Sequence, residues 1–281
     1  MFGISRQSYY RSNWLEKQQK EVSIEVVKLV KKVRQDLPRV GTRKLYHILN
    51  IQLVELGVGR DKLFTILKAN QMLIKPARSY RTTTNSKHMF KKHKNLIGEI
   101  TPSSPEQIWV SDITYIGSRQ NHQYLSLITD AYSKKIVGYD LSDTLSADGS
   151  IRALSMAIKN RIYKNNKLIH HSDRGIQYCC DAYQKQITKH QIKCSMTENY
   201  DPYANAVAER VNGILKQEFL FAHKREKLPV MKEIVKQSIE RYNVRRPHLS
   251  CNMLTPNQMH RQKHIKIKTY KKLVPSGTPG D

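Results

Sequence analysis

At residue 106 the chain changes its hydrophobic period, and that change limits the folds open to it. Upstream, apolar residues recur every three or four positions. Ile24, Val27, Val30, Val33 and Leu37 form one such face, with Lys28, Lys31, Lys32 and Arg34 between them, until Pro38 stops the run. Downstream, Ile108-Trp109-Val110-Ser111-Asp112-Ile113-Thr114-Tyr115-Ile116 has strand composition and ends at Gly117-Ser118. Tyr124-Leu125-Ser126-Leu127-Ile128-Thr129 and Ile136-Val137-Gly138-Tyr139 extend it as two more strands, with short polar turns that favour antiparallel pairing. A helix is predicted from near Ser146, with Ile151, Leu154 and Ile158 inward, then a fourth strand at Leu168-Ile169-His170. A helix over about 176–190, a short strand near 192–194 and a long helix containing Glu209 follow. The predicted class is α/β, a mixed sheet with flanking helices.

The helical part upstream is small and basic. Gly41 opens a second helix with Leu45, Leu49, Leu53 and Leu56 on one face. A third run, Leu63, Ile66, Leu67 and Met72, follows Gly57-Val58-Gly59-Arg60-Asp61, where Asp61 is a candidate cap. Short helices on tight turns, rich in Arg and Lys, suggest a helix-turn-helix module. The plainer alternative is a helical bundle that only packs on the next domain. The predicted divisions are an arm over 1–20, the module over 21–74, a basic linker over 75–105, a core over 106–222, and a basic C-terminal helix and tail over 223–281. The last of these contains a helix over about 230–242 and a Lys-rich tail from Lys263 to Lys272.

Charge follows the same divisions. Of a formal net charge of +26, residues 1–100 contribute 21 Lys+Arg against 7 Asp+Glu. Residues 101–219 have 14 against 12, and residues 220–281 have 14 against 4. Two cationic flanks around a nearly neutral middle suit a polyanion, nucleic acid before a membrane surface. No run of about 18 apolar residues or signal-like start is present. The four cysteines, 179, 180, 194 and 251, lack the paired spacing of a disulfide or zinc framework and read as reduced thiols of a cytosolic protein.

Three carboxylates stand where the local pattern gives little reason for charge. Asp112 lies inside an apolar strand, Asp173 directly follows a strand end, and Glu209 lies in a helix. A carboxylate within a strand is costly without a partner, and a hard divalent cation, Mg²⁺ or Mn²⁺, supplies one. Two such ions about 4 Å apart can clamp the attacking and leaving oxygens of a phosphodiester. Lys216, seven residues beyond Glu209, shares its helix face and can hold a phosphate. Taken singly, each Asp also reads as a turn or cap and Lys216 as a solvated helix residue.

The element order is that of a ribonuclease-H-like domain. The spacing of Asp112, Asp173 and Glu209, with sixty and thirty-five residues between them, resembles the DDE core of retroviral integrases and insertion-sequence transposases. More closely, the chain resembles the second-frame product (OrfB) of the IS-three family of bacterial insertion sequences. The likeness runs through Trp109 to Tyr115, Asp130, Ser133, Ile136-Val137-Gly138 and His171-Ser172-Asp173-Arg174-Gly175. It continues in Gln177-Tyr178, Ser195-Met196, Asn205-Ala206 through Glu209 to Lys216, Tyr242-Asn243, Arg246-Pro247-His248 and Thr255-Pro256. Gly41, Arg43 and Leu45 resemble the family's helix-turn-helix segment. Two departures stand out. Ala204 replaces the usual Asp before the Asn-Ala pair, and the Cys residues of the retroviral zinc module are missing, since none precedes Cys179.

The resemblance implies a metal-dependent transposase that cleaves insertion-sequence ends and transfers the freed strands. Asp112, Asp173 and Glu209 would hold Mg²⁺ (or Mn²⁺), two ions when DNA is bound. Lys216, Arg43, Lys44, Arg60, Lys62 and Arg246 are candidate DNA contacts, and His171, Arg174, Gln177 and Asn205 candidate supports. His170 reads as a packing residue. Partners would be double-stranded element ends and target, further copies of the chain on DNA, and an upstream-frame product, since Met1-Phe2-Gly3-Ile4-Ser5-Arg6 looks like a join. The expected place is the bacterial cytoplasm, at the nucleoid. The competing readings are a non-catalytic DNA-binding regulator, which a broken triad would mark, and a ribonuclease-H-like nuclease. The basic module and the Glu209–Lys216 spacing argue against the latter.

Overall fold

The computed structural model describes residues 5–75, 93–98, 100–117, 122–197, 206–223 and 226–267. Helix α1 (Arg6–Asp36) begins at Ser5, whose hydroxyl accepts from the Ser8 N–H, 3.2 Å away. The segment expected as an arm is therefore, from Arg6 onward, the start of α1. Its first four turns are exposed all round, so no buried stripe marked them as helix in the sequence. Only Val26 and Val30 are fully buried.

Helices α2 (Thr42–Ile48) and α3 (Asn50–Glu55) break at Leu49 where one continuous helix was predicted, and α4 (Arg60–Ala69) completes the module. Gly59, not Asp61, is the N-cap of α4; Asp61 lies in the first turn. Gly57 turns the chain between α3 and α4 at φ +62°, a backbone conformation that glycine adopts without steric cost.

Strands β1 (Ile108–Gly117), β2 (His122–Asp130) and β3 (Ile136–Ser142) form the predicted antiparallel meander. Helix α5 (Ala147–Lys159) crosses to β4 (Ile169–Ser172), which joins β1 in parallel. Short helices α6 (Ile176–Cys179) and α7 (Asp181–Lys189), divided at Cys180, lead to β5 (Lys193–Met196), parallel to β4. The sheet order is β3-β2-β1-β4-β5. At Gly138 any Cβ would press into the Ala153 carbonyl and Ala157 of α5, so this strand–helix approach requires glycine.

Helix α8 (Ala206–Ile214) passes into a π-helical turn, Leu215–Phe219, and α9 (Leu228–Arg245) then returns along β3. Asn243 on α9 substitutes for a neighbouring strand at the sheet edge. Its Oδ1 accepts from the Ile136 N–H (3.0 Å) and its Nδ2 donates to the Ile136 carbonyl (2.9 Å). Sequence periodicity missed α10 (Pro256–His260), a single turn closed by a Thr255–Gln258 capping box.

One hydrophobic core runs from Val30, Leu45 and Leu67 of the N-terminal module to Leu125, Val211 and Tyr242 of the sheet domain and α9. Asp36 pairs with Arg241 and Arg245 across that seam, and the Arg39 guanidinium lies 4.2 Å from the centroid of the Phe221 ring. The module thus packs on the core, as the plainer sequence reading required.

Candidate active site

Strand alternation sorts the residues of β1. Trp109 and Ile113 enter the core beneath α5 and α7, whereas Val110 and Asp112 face α8. The pairing of β1 with β4 covers residues 108 to 110, so beside Asp112 the strand edge borders the crevice beyond the carboxyl end of β4. Asp173 stands at that end, one residue after β4, with its Oδ1 accepting from the Gly175 N–H at 3.0 Å. Asp112, Ile113, Leu145, Asp173, Gly175, Gln177 and Tyr178 line one small pocket there. Gln177 fixes its wall by donating to the Leu145 carbonyl (3.1 Å).

Glu209 lies in the first turn of α8 and is exposed. One helical turn on, the buried Asn212 donates through Nδ2 to Asp112 Oδ2 at 2.7 Å. Burial, then the charge of Asp173, push the Asp112 carboxyl up to about 7; the Asn212 hydrogen bond opposes this and the charge of Glu209 adds to it. The Asp112 carboxylate is therefore crowded by two like charges, an environment that a cation relieves. Asp112 and Asp173 share the pocket and Glu209 bears on it by charge. Among the described residues, however, no three acidic, His or Cys side chains form a ready cation nest.

Two family models, both described as integrase core domain, match residues 102–202 and 190–256. The chain is similar to the insertion element IS600 uncharacterized 31 kDa protein of Shigella sonnei. That relative is 34% identical over 277 residues, covering 94% of this chain and 97% of its own. It is also similar to transposase InsF for insertion sequence IS3fB of Escherichia coli K12, 30% identical over 198 residues and covering 70% and 68% respectively. The chain belongs to the IS3-type insertion-sequence transposases. Its fold is that of the integrases. A simian T-cell lymphotropic virus intasome, solved with the PP2A regulatory subunit B56 gamma, matches with a TM-score of 0.50 at 18% identity, over 84% of this chain and 81% of the other.

Within this DDE-type transposase, the supporting residues take distinct places. The buried His171 exchanges a 2.9 Å hydrogen bond between Nδ1 and Ser195 Oγ, and Ser195 also accepts from the Leu96 N–H, fastening the linker to β5. His170 sits behind the sheet between Ser111 (2.6 Å) and Tyr183 (2.9 Å); burial, with the neighbouring His171, lowers its basicity to about 3, so it stays neutral. Arg174 is half-buried, and Asn205 lies outside the described residues.

The expected DNA contacts divide more sharply. Arg43, Arg60 and Lys62 are exposed, Arg60 beside Asp61 at 2.9 Å. Lys216 is half-buried in the π turn, two residues beyond Ile214, where the regular α-helix ends. Arg246 departs from its expected role. It is 1% exposed and grips Glu218 with two nitrogens, Nε at 2.7 Å and Nη2 at 2.5 Å, so its guanidinium serves the fold. Asn212 was missed, although its place three residues after Glu209 on one helix face was a usable signal.

Proposed function

We propose that this transposase cuts insertion-sequence ends and joins the freed strands to a target through Asp112, Asp173 and Glu209, with magnesium as the working cation and manganese as a substitute. The observation that carries this reading is the crowding of the enclosed Asp112 carboxyl by Asp173 and Glu209 beside a crevice at the strand ends. Three hard oxygen donors fit a divalent ion, and the integrase-core family is generally dependent on one. Held by Asp112, Asp173 and Glu209, a divalent cation would supply activation of water or a 3′-hydroxyl and stabilisation of the departing 3′-oxygen.

The chain's own residues orient the donors and the DNA. Asn212 donates to one Asp112 oxygen, and the Gly175 amide holds Asp173. Gln177, bonded to Leu145, keeps the pocket wall in place. Lys216 holds a phosphate beside the carboxylates, and Arg43, Arg60 and Lys62 attract the duplex over the module. Paired-end chemistry calls for several copies on DNA, in keeping with the intasome neighbour. Fusion to an upstream-frame product and residence at the bacterial nucleoid rest on the sequence resemblance. Among the described residues no helix is long and apolar enough to cross a membrane.

The test is cleavage of element ends with Mg²⁺ by Asp112→Asn, Asp173→Asn and Glu209→Gln. Each should lose about a thousand-fold or more in cutting, equivalent to about 4 kcal/mol of transition-state stabilisation, and retain DNA binding. Undiminished cutting by any of them removes that residue from the mechanism. Wild type that binds ends and never cuts them points to a regulator instead.

A further inference from the structure

Tyr178 lines the pocket together with Asp112 and Asp173, and its buried hydroxyl has no hydrogen-bond partner among the described residues. The rest of the residue is firmly held. Its carbonyl accepts from Gln184 Nε2 at 2.7 Å, and its ring meets that of Tyr183 edge-on, with the centroids 5.4 Å apart. Ser150 of α5 acts on the phenol only weakly, its own hydroxyl lying 3.4 Å from that of Ser126. Burial first, then the charges of Asp173, Tyr183 and Asp112, drive the phenol well above the usual tyrosine range, so it keeps its proton. A neutral donor without an acceptor, costly to leave so in a buried place, therefore shares a wall with two carboxylates.

Other donors of this wall are committed. The Gly175 N–H serves Asp173 Oδ1 at 3.0 Å, and Gln177 Nε2 serves the Leu145 carbonyl at 3.1 Å. The pocket leaves about 10 Å³ for the centre of a water molecule, close to the least that one water needs, and a buried water takes about three polar partners. We propose that the pocket is a one-water site in which the water accepts from the Tyr178 hydroxyl and donates its two hydrogens to Asp112 and Asp173. Tyr178 is then a positioning residue. Two carboxylates repel each other across the pocket, and a donor shared between them offsets the repulsion and turns one oxygen of each inward. Tyr178 acts through those oxygens and not on DNA, since its hydroxyl is closed to solvent. It is the kind of outer partner that orients a metal ligand. This inference rests on, and deepens, the reading of Asp112 and Asp173 as cation ligands.

The experiment titrates the full chain with manganese and follows the free ion by its paramagnetic resonance. Tyr178→Phe keeps the ring and removes its oxygen. It should bind manganese about 10-fold more weakly than wild type, the lower end of the usual loss when an outer partner of a metal ligand is removed. In cleavage of an element end it should need about 10-fold more Mg²⁺ and recover the wild-type maximal rate at saturation. Tyr183→Phe removes a neighbouring buried hydroxyl that meets His170 at 2.9 Å, outside the pocket, and should leave manganese binding unchanged. Tyr178→Phe that binds manganese as wild type does, while Asp112→Asn loses it, sinks this inference alone. Equal losses in Tyr178→Phe and Tyr183→Phe would make the effect one of packing and overturn it too. Wild type that binds manganese no better than Asp112→Asn would overturn the reading of the carboxylates, and the role of Tyr178 with it.

Discussion

Replacing Glu218 with Gln should unfold this protein more readily than any surface change of the same size. Glu218 is 18% exposed at its side chain and Arg246 1%, joined at 2.5 and 2.7 Å. The substitution preserves volume, leaves the guanidinium enclosed without its countercharge, and leaves Lys44 and Arg210 nearby. Breaking a buried pair from one side costs about 3–5 kcal/mol, and the partial exposure of Glu218 places this case near the lower end, about 3 kcal/mol. For a chain of this size each kcal/mol lowers the melting temperature by about 2–4 °C, so the expected fall is about 6–12 °C. Calorimetry on the purified chain, with and without DNA, measures it. The double variant Glu218→Leu with Arg246→Met removes both charges and should recover most of the loss, since well-packed apolar replacements of buried pairs are often neutral. A single variant that melts with wild type, or a double variant as unstable as the single, would refute the assignment of Arg246 to the fold.

Other perturbations separate positioning from stability. Asn212→Ala should lower cutting by about 10–100-fold, the worth of a hydrogen bond to a charged group, with DNA affinity kept. Equal rates in a cleavage assay would show that Asp112 needs no such hold. The buried His260 lies with Nε2 3.5 Å from Glu106 Oε1 and Nδ1 3.7 Å from Asp130 Oδ1. Burial alone would lower its basicity, but hydrogen bonds to Asp130 and Glu106 and the Asp130 charge overcome that and raise it, against a small opposing push from Lys135. A raised folded value means that the stabilisation is complete below the ordinary 6.5 and is lost as pH rises through the folded value. Melting curves from pH 6 to 9 should therefore fall more steeply for wild type than for His260→Gln; parallel profiles would contradict this.

The sheet domain was legible because its signals are local. β1, β2 and β3 announce themselves by composition, and Asp112 stands out as a charge among Trp109, Val110 and Ile113. The first turns of α1 carry no buried stripe, so periodicity had nothing to register there. The kink at Leu49 and the π turn over Leu215–Phe219 leave the apolar spacing almost intact while shifting the backbone, which hides them from pattern reading. Arg246 looked like a phosphate ligand because its partner, Glu218, lies 28 residues away and reaches it only through packing. Asn212 carries no charge, and its bond to Asp112 spans 100 residues. Of the candidate site, the pocket that Asp112 shares with Asp173 and the exposure of each residue followed from tertiary contacts.

The most direct test is where divalent ions settle when DNA ends are bound. Anomalous scattering from manganese-soaked crystals of the DNA-bound transposase should place metal between Asp112, Asp173 and Glu209, and Asp112→Asn should abolish that signal. Manganese found elsewhere, or strand cutting that persists with no metal at those three carboxylates, would contradict the account.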